Sequence, residues 1–183
     1  MRFFKNFKKN TGTTRKNEDE MPLLFEQLMN RESPETIKAL LEKGVDVNEK
    51  NIVALNIFTP LFCAIAFYFG PEANIIKLLV EFGAKVDARN ARGSTPLIFA
   101  VAQRNLEAIK ILIELGADIN AKNAIGNTPL ICATITNASS EIIKTLIDFG
   151  ADVNAKNDKG KTALDYTKDS TTENILKKAM DKI

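Results

Sequence analysis

The chain of 183 residues has no histidine, no tryptophan and only two cysteines. The lack of histidine removes the commonest general base and a frequent metal ligand. Also missing are the patterns of common phosphate, dinucleotide and zinc sites, namely G-x-x-x-x-G-K-S/T, G-x-G-x-x-G, H-E-x-x-H and paired C-x-x-C. These absences predict a chain that is not an enzyme, with no catalytic residue, no cofactor and no metal site.

Long hydrophobic runs are absent as well. The longest candidate, at 57–70, is interrupted by Thr59 and Pro60 and is shorter than the roughly 18 residues that cross a bilayer. We therefore expect no transmembrane segment.

The net charge of +2 is uneven, because residues 1–17 hold six cations and no acid, which leaves 18–183 with a charge of −4. A slightly acidic body predicts no nucleic-acid surface there.

Two short phrases recur along the chain in the same phase. The threonines of the first phrase are 36, 33 and 34 residues apart. The second phrase begins with a glycine that precedes the threonine of each first phrase, by 15, 12, 12 and 12 residues. The copies are Thr59-Pro60-Leu61, Thr95-Pro96-Leu97, Thr128-Pro129-Leu130 and Thr162-Ala163-Leu164 for the first phrase, and 44–48, 83–87, 116–120 and 150–154 for the second. Two phased motifs at about 33 residues predict an array of stacked units. Asp118 and Asp152 recur at one place within the second phrase, so we expect them to stabilise a loop and not to form a catalytic pair.

Residues 90–122 form the most regular copy. Thr95 can cap a helix that begins at Pro96. Proline suits the first helical position, because a backbone N–H there would have no partner within the helix. We predict this first helix at 96–103 and a second helix at 106–115, with apolar residues at helical spacing along one side. Gly116 then falls just after this helix, at the position where a residue in the left-handed backbone conformation commonly ends a helix. Neither helix can bury its apolar side alone, so neighbouring units must cover it.

These phrases resemble the ankyrin repeat over about residues 20–183. The resemblance implies an all-α solenoid of about five stacked helix-turn-helix units, each with a projecting β-hairpin finger. It predicts a basic, disordered leader at 1–17 and a repeat domain at 18–183. The expected units are 18–50, 51–89, 90–122, 123–156 and 157–183. In the last unit we predict a second helix at about 173–183, with Ile175 and Leu176 on its inner side. The resemblance further implies a scaffold or adaptor that binds a protein partner through finger tips and the concave side of the first helices.

The contact positions of the family can be carried across to this chain one residue at a time. They fall on the tips of the fingers and on the ends of the first helices, including Ile135. Most of these side chains are small or polar, so simple solvation is the alternative reading. The predicted partner-binding residues at these positions are Arg92, Ser94, Gln103, Ile125, Asn127, Thr136, Lys159 and Lys161.

The second unit departs from the pattern by a longer finger and extra residues before its second helix. Its aromatic and apolar residues exceed what one short helix can bury. They either form an exposed patch that binds a partner, or a local core in which the finger covers Phe67 and Phe69. The exposed alternative adds Ile57, Phe58, Phe67 and Tyr68 to the predicted partner-binding residues.

Three positions bear on how the units pack. The family usually has a histidine after Thr-Pro-Leu that ties adjacent repeats together. Here Phe62, Ile98 and Ile131 stand in its place, so apolar packing must substitute for that hydrogen bond.

Cys63 and Cys132 occupy equivalent positions two units apart, which puts them about 20 Å from each other, too far for a disulfide. We expect two buried thiols in a reducing compartment.

The first 17 residues have two possible uses. Phe3, Phe4 and Phe7 would share a helical face flanked by lysines, which suits peripheral contact with a membrane surface. The other possibility is a disordered basic leader. The main prediction is a cytoplasmic, monomeric adaptor, and the alternative is an ankyrin effector that is secreted or directed to a membrane by this leader. A scaffold that self-associates through the aromatic finger is a third possibility.

Overall fold

The computed structural model describes residues 22–53, 56–68 and 73–181, without the side chains of 52, 53, 56 and 57. Predictions about the leader at 1–17 and about Phe69 lie outside these residues. The described residues form nine α-helices, one 3-10 helix and one two-stranded hairpin. The elements are α1 Leu23–Met29, α2 Pro34–Glu42, β1 Asn51–Val53, β2 Asn56–Phe58, α3 Pro60–Phe67, α4 Asn74–Glu81, α5 Pro96–Ala102, α6 Leu106–Glu114, α7 Pro129–Ile135, α8 Ser140–Asp148, the 3-10 helix Leu164–Tyr166 and α9 Ser170–Met180.

The Thr-Pro-Leu phrases begin helices, as predicted. The hydroxyls of Thr95 and Thr128 each accept a hydrogen bond at 3.3 Å from the backbone N–H three residues later. A proline follows each threonine at the first helical position. The two helices of the third unit end within one residue of the predicted bounds. Gly116 has φ +86°, which confirms the left-handed residue after α6.

The helices stack in two rows. The first helices α1, α3, α5 and α7 pack side by side, and the second helices α2, α4 and α6 pack beside them. The apolar sides meet between the rows, where Leu79, Leu112 and Leu146 have no exposed surface. One continuous core therefore runs through the stack, as expected when no unit can bury its apolar side alone. This arrangement confirms the all-α solenoid.

The last helix begins earlier than the sequence predicted. The expected bounds were 173–183, whereas α9 spans Ser170–Met180. The carboxylate of Asp169 accepts a hydrogen bond at 2.8 Å from the Thr172 backbone N–H, so it caps the helix. Leu176 is fully buried and Ile175 is half-buried, in agreement with the predicted inner side.

The finger of the second unit is the single β-hairpin among the described residues. Strands β1 and β2 are antiparallel, with Asn51 opposite Phe58 and Ile52 opposite Ile57. The extra residues of this unit thus lengthen the finger into a short ladder. The side chain of Ile57 is outside the described part of the chain, so its predicted contact with a partner stays a prediction.

Phe58 points into the molecule. It forms edge-to-face pairs with Phe62 and Phe99, and Phe62 and Phe99 also pair with each other, all with centroids 5.5–5.6 Å apart. Phe62 stands where the family has its histidine, so aromatic packing across two units replaces that hydrogen bond. Because Phe58 is only 9% exposed, the expectation that it forms part of an exposed patch is wrong.

Tyr68 is also interior, with 2% of its surface exposed. Its hydroxyl donates to the backbone carbonyl of Glu32 in the first unit at 3.0 Å. A buried phenol needs such a partner, so the residue ties two units together. The expectation of an exposed Tyr68 is therefore wrong, whereas Phe67 is half-buried and packs against the core.

Candidate protein-binding surface

The fingers of the third, fourth and fifth units end in loops of identical construction. The Asn90 side-chain oxygen accepts from the backbone N–H groups of Arg92 and Ser94, at 2.9 and 3.0 Å. Asn123 and Asn157 do the same for the residues two and four positions later. We call the segments 90–94, 123–127 and 157–161 the finger loops. Their shape is fixed by side-chain oxygens, so they are ordered before any partner binds.

Adjacent finger loops are joined through their backbones. The Ala124 N–H donates to the carbonyl of Arg92 at 3.1 Å, and the Asp158 N–H donates to the carbonyl of Ile125 at 3.4 Å. Gly126 allows this approach, because it has φ +73° and a Cβ there would lie 2.6 Å from the Asp158 nitrogen. The three tips therefore form one continuous edge.

The middle residue of each finger loop points outward. These residues are Arg92, Ile125 and Lys159, and we call them the tip row. Ile125 is 59% exposed, an unusual amount for a large aliphatic side chain. Within the described part of the chain, the side chains of Arg92 and Lys159 form no ion pair. The tip row thus presents a cation, an apolar side chain and a second cation.

Two of the predicted finger contacts are not on the surface. Ser94 is 9% exposed and Asn127 is 5% exposed, so the prediction that they contact a partner from exposed positions is wrong. The Asn127 side-chain oxygen accepts from Asn157 at 2.7 Å, which uses it between units. Asn127, just before the threonine, therefore contacts the neighbouring unit, and its position in the family motif alone does not predict this contact.

Lys161, at the equivalent position in the fifth unit, is exposed. Its ammonium group lies 3.4 Å from the Asp165 carboxylate. Hydrogen bonds from the backbone N–H and then the hydroxyl of Thr162 keep the pKa of Asp165 below its usual value. Lys161 is therefore partly neutralised by its own unit, in contrast to Lys159.

The ends of the first helices give a mixed surface. Gln103 is exposed, and Ile135 is exposed by 37%. Thr136 is half-buried, and its hydroxyl donates to the Cys132 carbonyl at 2.9 Å. The guanidinium of Arg104 also donates to the Thr136 carbonyl. Thr136 therefore stabilises the end of α7 through its hydroxyl and joins two units through its carbonyl. Gln103 and Ile135 remain as the accessible side chains.

A ladder of cations runs along the base of the fingers and was missed in the sequence. The Arg89 guanidinium donates to the carbonyls of Gly93 and Lys122, at 2.7 and 2.6 Å. The Lys122 ammonium group then donates to the carbonyl of Lys156 at 2.9 Å. The available signal was a basic residue six positions before the threonine in each of these three units.

Asparagine and aspartate side chains also join the units and were only partly anticipated. Asn105 is 3% exposed, caps α6, and donates at 3.1 Å to the carbonyls of Ile65 and Tyr68. The carboxylates of Asp118 and Asp152 each accept from the backbone N–H two residues later, at 2.9 Å. This confirms the predicted loop-stabilising role of the two aspartates.

Both cysteines lie in the interior of the array. Burial raises the pKa of the Cys63 thiol to about 12 and that of Cys132 to about 11, and both are free thiols, as predicted. A protonated buried thiol is a poor nucleophile. The described ranges contain no cluster of three side chains suited to a metal ion. They also contain no helix with the length and hydrophobicity to cross a bilayer.

Comparison with known proteins agrees with this geometry. Residues 24–123 match a family model described as ankyrin repeats in three copies, and residues 125–158 match the model of a single ankyrin repeat. The search of curated proteins returns no match.

Proposed function

Since the chain belongs to the ankyrin repeat family, whose repeats are generally protein–protein interaction modules, we propose that it is a scaffold for a protein partner. The partner binds the finger loops and the exposed ends of the first helices, chiefly in the third to fifth units. In the second unit, Phe58 and Tyr68 contribute packing inside the array.

One observation carries this proposal. Four large hydrophobic side chains are exposed in the described part of the chain, namely Leu23, Ile125, Ile135 and Phe149. Two of them, Ile125 and Ile135, belong to one unit and stand at positions where the family contacts its partners. Apolar anchors surrounded by polar residues are typical of binding surfaces.

The construction of the fingers supports binding with a small entropic cost. Each finger loop is held by an asparagine oxygen, and adjacent loops share backbone hydrogen bonds. A surface that is already ordered loses little freedom when a partner docks. Three adjacent units would supply a specific interface of standard size, which buries on the order of 1,600 Å² in total.

Affinity capture with matched variants tests the proposal. The full chain, the Ile125→Ser/Ile135→Ser variant and a Phe149→Ser control are used side by side on a lysate from the source cells. Phe149 is a suitable control, because it is 52% exposed but ends a second helix, α8, and belongs neither to a finger loop nor to a first helix. We expect proteins retained by the full chain and the control to be lost from the double variant, with equal helical circular dichroism for all three.

Two outcomes would contradict the proposal. One is recovery of every retained protein by the double variant. The other is equal loss from the Phe149→Ser control, since nonspecific apolar adhesion would then explain the binding.

A further inference from the structure

Charge is strongly separated in the repeat domain. The segments 89–95, 122–128 and 156–162 carry six cations and one carboxylate, a net charge of +5, whereas residues 18–183 together carry −4. The cations are Arg89, Arg92, Lys122, Lys156, Lys159 and Lys161, and the carboxylate is Asp158. The finger side is therefore basic and the rest of the domain is acidic. Such a potential attracts an acidic partner to the fingers.

The cations differ in their availability. Arg89 and Lys122 already donate to backbone carbonyls of the next unit, and Lys161 is paired with Asp165. Arg92 and Lys159, the ends of the tip row, have no such ion pair among the described residues. Ile125 lies between them and is more than half exposed.

The spacing of the tip row follows from how the units stack. The first helices α5 and α7 pack side by side, and packed helices lie about 8–10 Å apart, so equivalent residues of adjacent finger loops are separated by a similar step. Arg92, Ile125 and Lys159 thus form three points at steps of about 8–10 Å.

We propose that the tip row binds an extended acidic segment of the partner in the polyproline II conformation. That conformation has three residues per turn and rises about 3.1 Å per residue, so every third side chain lies on one side at steps of about 9 Å. The segment has acidic residues at positions 1 and 7, which pair with Arg92 and Lys159, and an apolar residue at position 4, which packs on Ile125. A β-strand fits less well, because its third residue points to the opposite side.

A peptide suits this surface better than a nucleic acid does. The three finger segments contain no aromatic residue on which a base could stack. The centre of the tip row is an aliphatic side chain, which a phosphate backbone would leave unused. The inference rests on the proposed function, since it names the chemistry of the partner at that same surface.

Synthetic peptides test the inference on the full chain. The probe is fluorescein-labelled Asp-Pro-Pro-Leu-Pro-Pro-Asp, in which prolines hold the polyproline II conformation. Its matched control is the isomer Asp-Pro-Leu-Pro-Pro-Pro-Asp, which has the same composition and charge but a displaced leucine. We expect the probe to bind at least threefold tighter than the isomer by fluorescence anisotropy, with binding that weakens as salt rises.

Reversing the charge at both ends of the tip row gives a second test. Arg92→Glu/Lys159→Glu should weaken the probe about tenfold and should bind Lys-Pro-Pro-Leu-Pro-Pro-Lys better than the unaltered chain does. Lys43→Glu/Lys144→Glu changes the net charge equally on the second helices and should leave probe binding within twofold. Helical circular dichroism and the melting temperature establish that each variant is folded.

Four results would overturn the inference: equal binding of probe and isomer, no binding of either peptide, equal loss in both double variants, or displacement of the probe by single-stranded DNA or anionic vesicles at lower concentration than by unlabelled peptide. None of them by itself removes the proposed function. That function is judged by whether the Ile125→Ser/Ile135→Ser variant loses captured proteins.

Discussion

The fingers of this protein are built in two ways. In the third to fifth units, an asparagine oxygen closes a short loop and the tip faces outward. In the second unit, the finger is a hairpin whose last residue, Phe58, turns inward onto Phe62 and Phe99. The finger thus presents exposed residues in one region, where we propose that a partner binds, and packs against the core in the other.

The second unit also satisfies its polar groups less completely. Thr59 begins α3 without capping it, and its buried hydroxyl has no partner among the described residues. The amide nitrogen of Asn51, which stands where the other fingers have their loop asparagine, is likewise unpaired there. The aromatic cluster stabilises this unit where the others use hydrogen bonds. The threonine cap of the helix can therefore be absent here, because another interaction replaces it.

The largest expected effect separates the two kinds of finger. Phe58→Ala should lower the free energy of unfolding by about 3–5 kcal/mol, because it removes a buried ring from a packed cluster. Ile125→Ala should change it by less than about 0.5 kcal/mol, since the side chain is exposed. Urea unfolding followed by circular dichroism measures both. Similar losses for the two variants would show that the fingers are not divided in this way.

Glycine substitutions test the contact between tips. Gly126 and Gly160 have φ near +70°, but only Gly126 is close to the backbone of the next finger. Gly160→Ala should cost about 1–2 kcal/mol from the left-handed conformation. Gly126→Ala should cost roughly 1–3 kcal/mol more, because its Cβ would collide with Asp158. Equal melting temperatures for the two variants would show that the tips are not in contact.

Helix capping gives the next comparison. Thr95→Val should destabilise the chain by about 1 kcal/mol, since it removes the oxygen that accepts from Ile98. Thr59→Val should be neutral or slightly stabilising, because it replaces an unpaired buried hydroxyl with a methyl group. Chemical unfolding of both variants decides the point. A larger loss for Thr59→Val would mean that its hydroxyl has a partner in solution.

The last comparison concerns the junction that follows the second unit. Asn48 and Asn120 each donate to a glycine carbonyl of the next unit, at 2.8 and 3.2 Å, and accept from a backbone N–H there. Asp87 accepts from the Asp118 N–H but, as a carboxylate, has no donor for the Gly116 carbonyl.

Asp87→Asn should therefore stabilise the chain by about 0.5–1.5 kcal/mol, and Asn120→Asp should destabilise it by a similar amount. Thermal unfolding at neutral pH measures both changes. A loss of stability in Asp87→Asn would show that the charge of Asp87 matters more than the missing donor.

Much of the fold was predictable because the repeat specifies it locally. Thr95 with Pro96 fixes a helix start, and Gly116 fixes a helix end, so the helices of the third unit were placed within a residue. The core residue Leu112 followed from helical spacing. The start of α9 was missed because Asp169 caps it from outside the apolar pattern.

The surface was less predictable, because exposure depends on the neighbouring unit. Ser94 and Asn127 stand at contact positions of the family, yet both are buried, and Asn127 is hydrogen-bonded to Asn157 of the next unit. The burial of Tyr68 depends on a carbonyl 36 residues earlier, at Glu32. Such partners are set by the geometry of stacking, and no pattern within one repeat encodes them.

The cation ladder has a consequence for how the protein can evolve. Arg89 and Lys122 at the finger base donate to equivalent backbone carbonyls in the unit that follows, those of Lys122 and Lys156. Ala124 and Asp158 each donate a backbone N–H to the unit before. A tandem duplication of the gene segment for 90–122 would thus create a unit whose donors and acceptors match on both sides. The array would gain a fourth tip in one genetic event, and the peptide that we propose as its ligand would grow by about three residues.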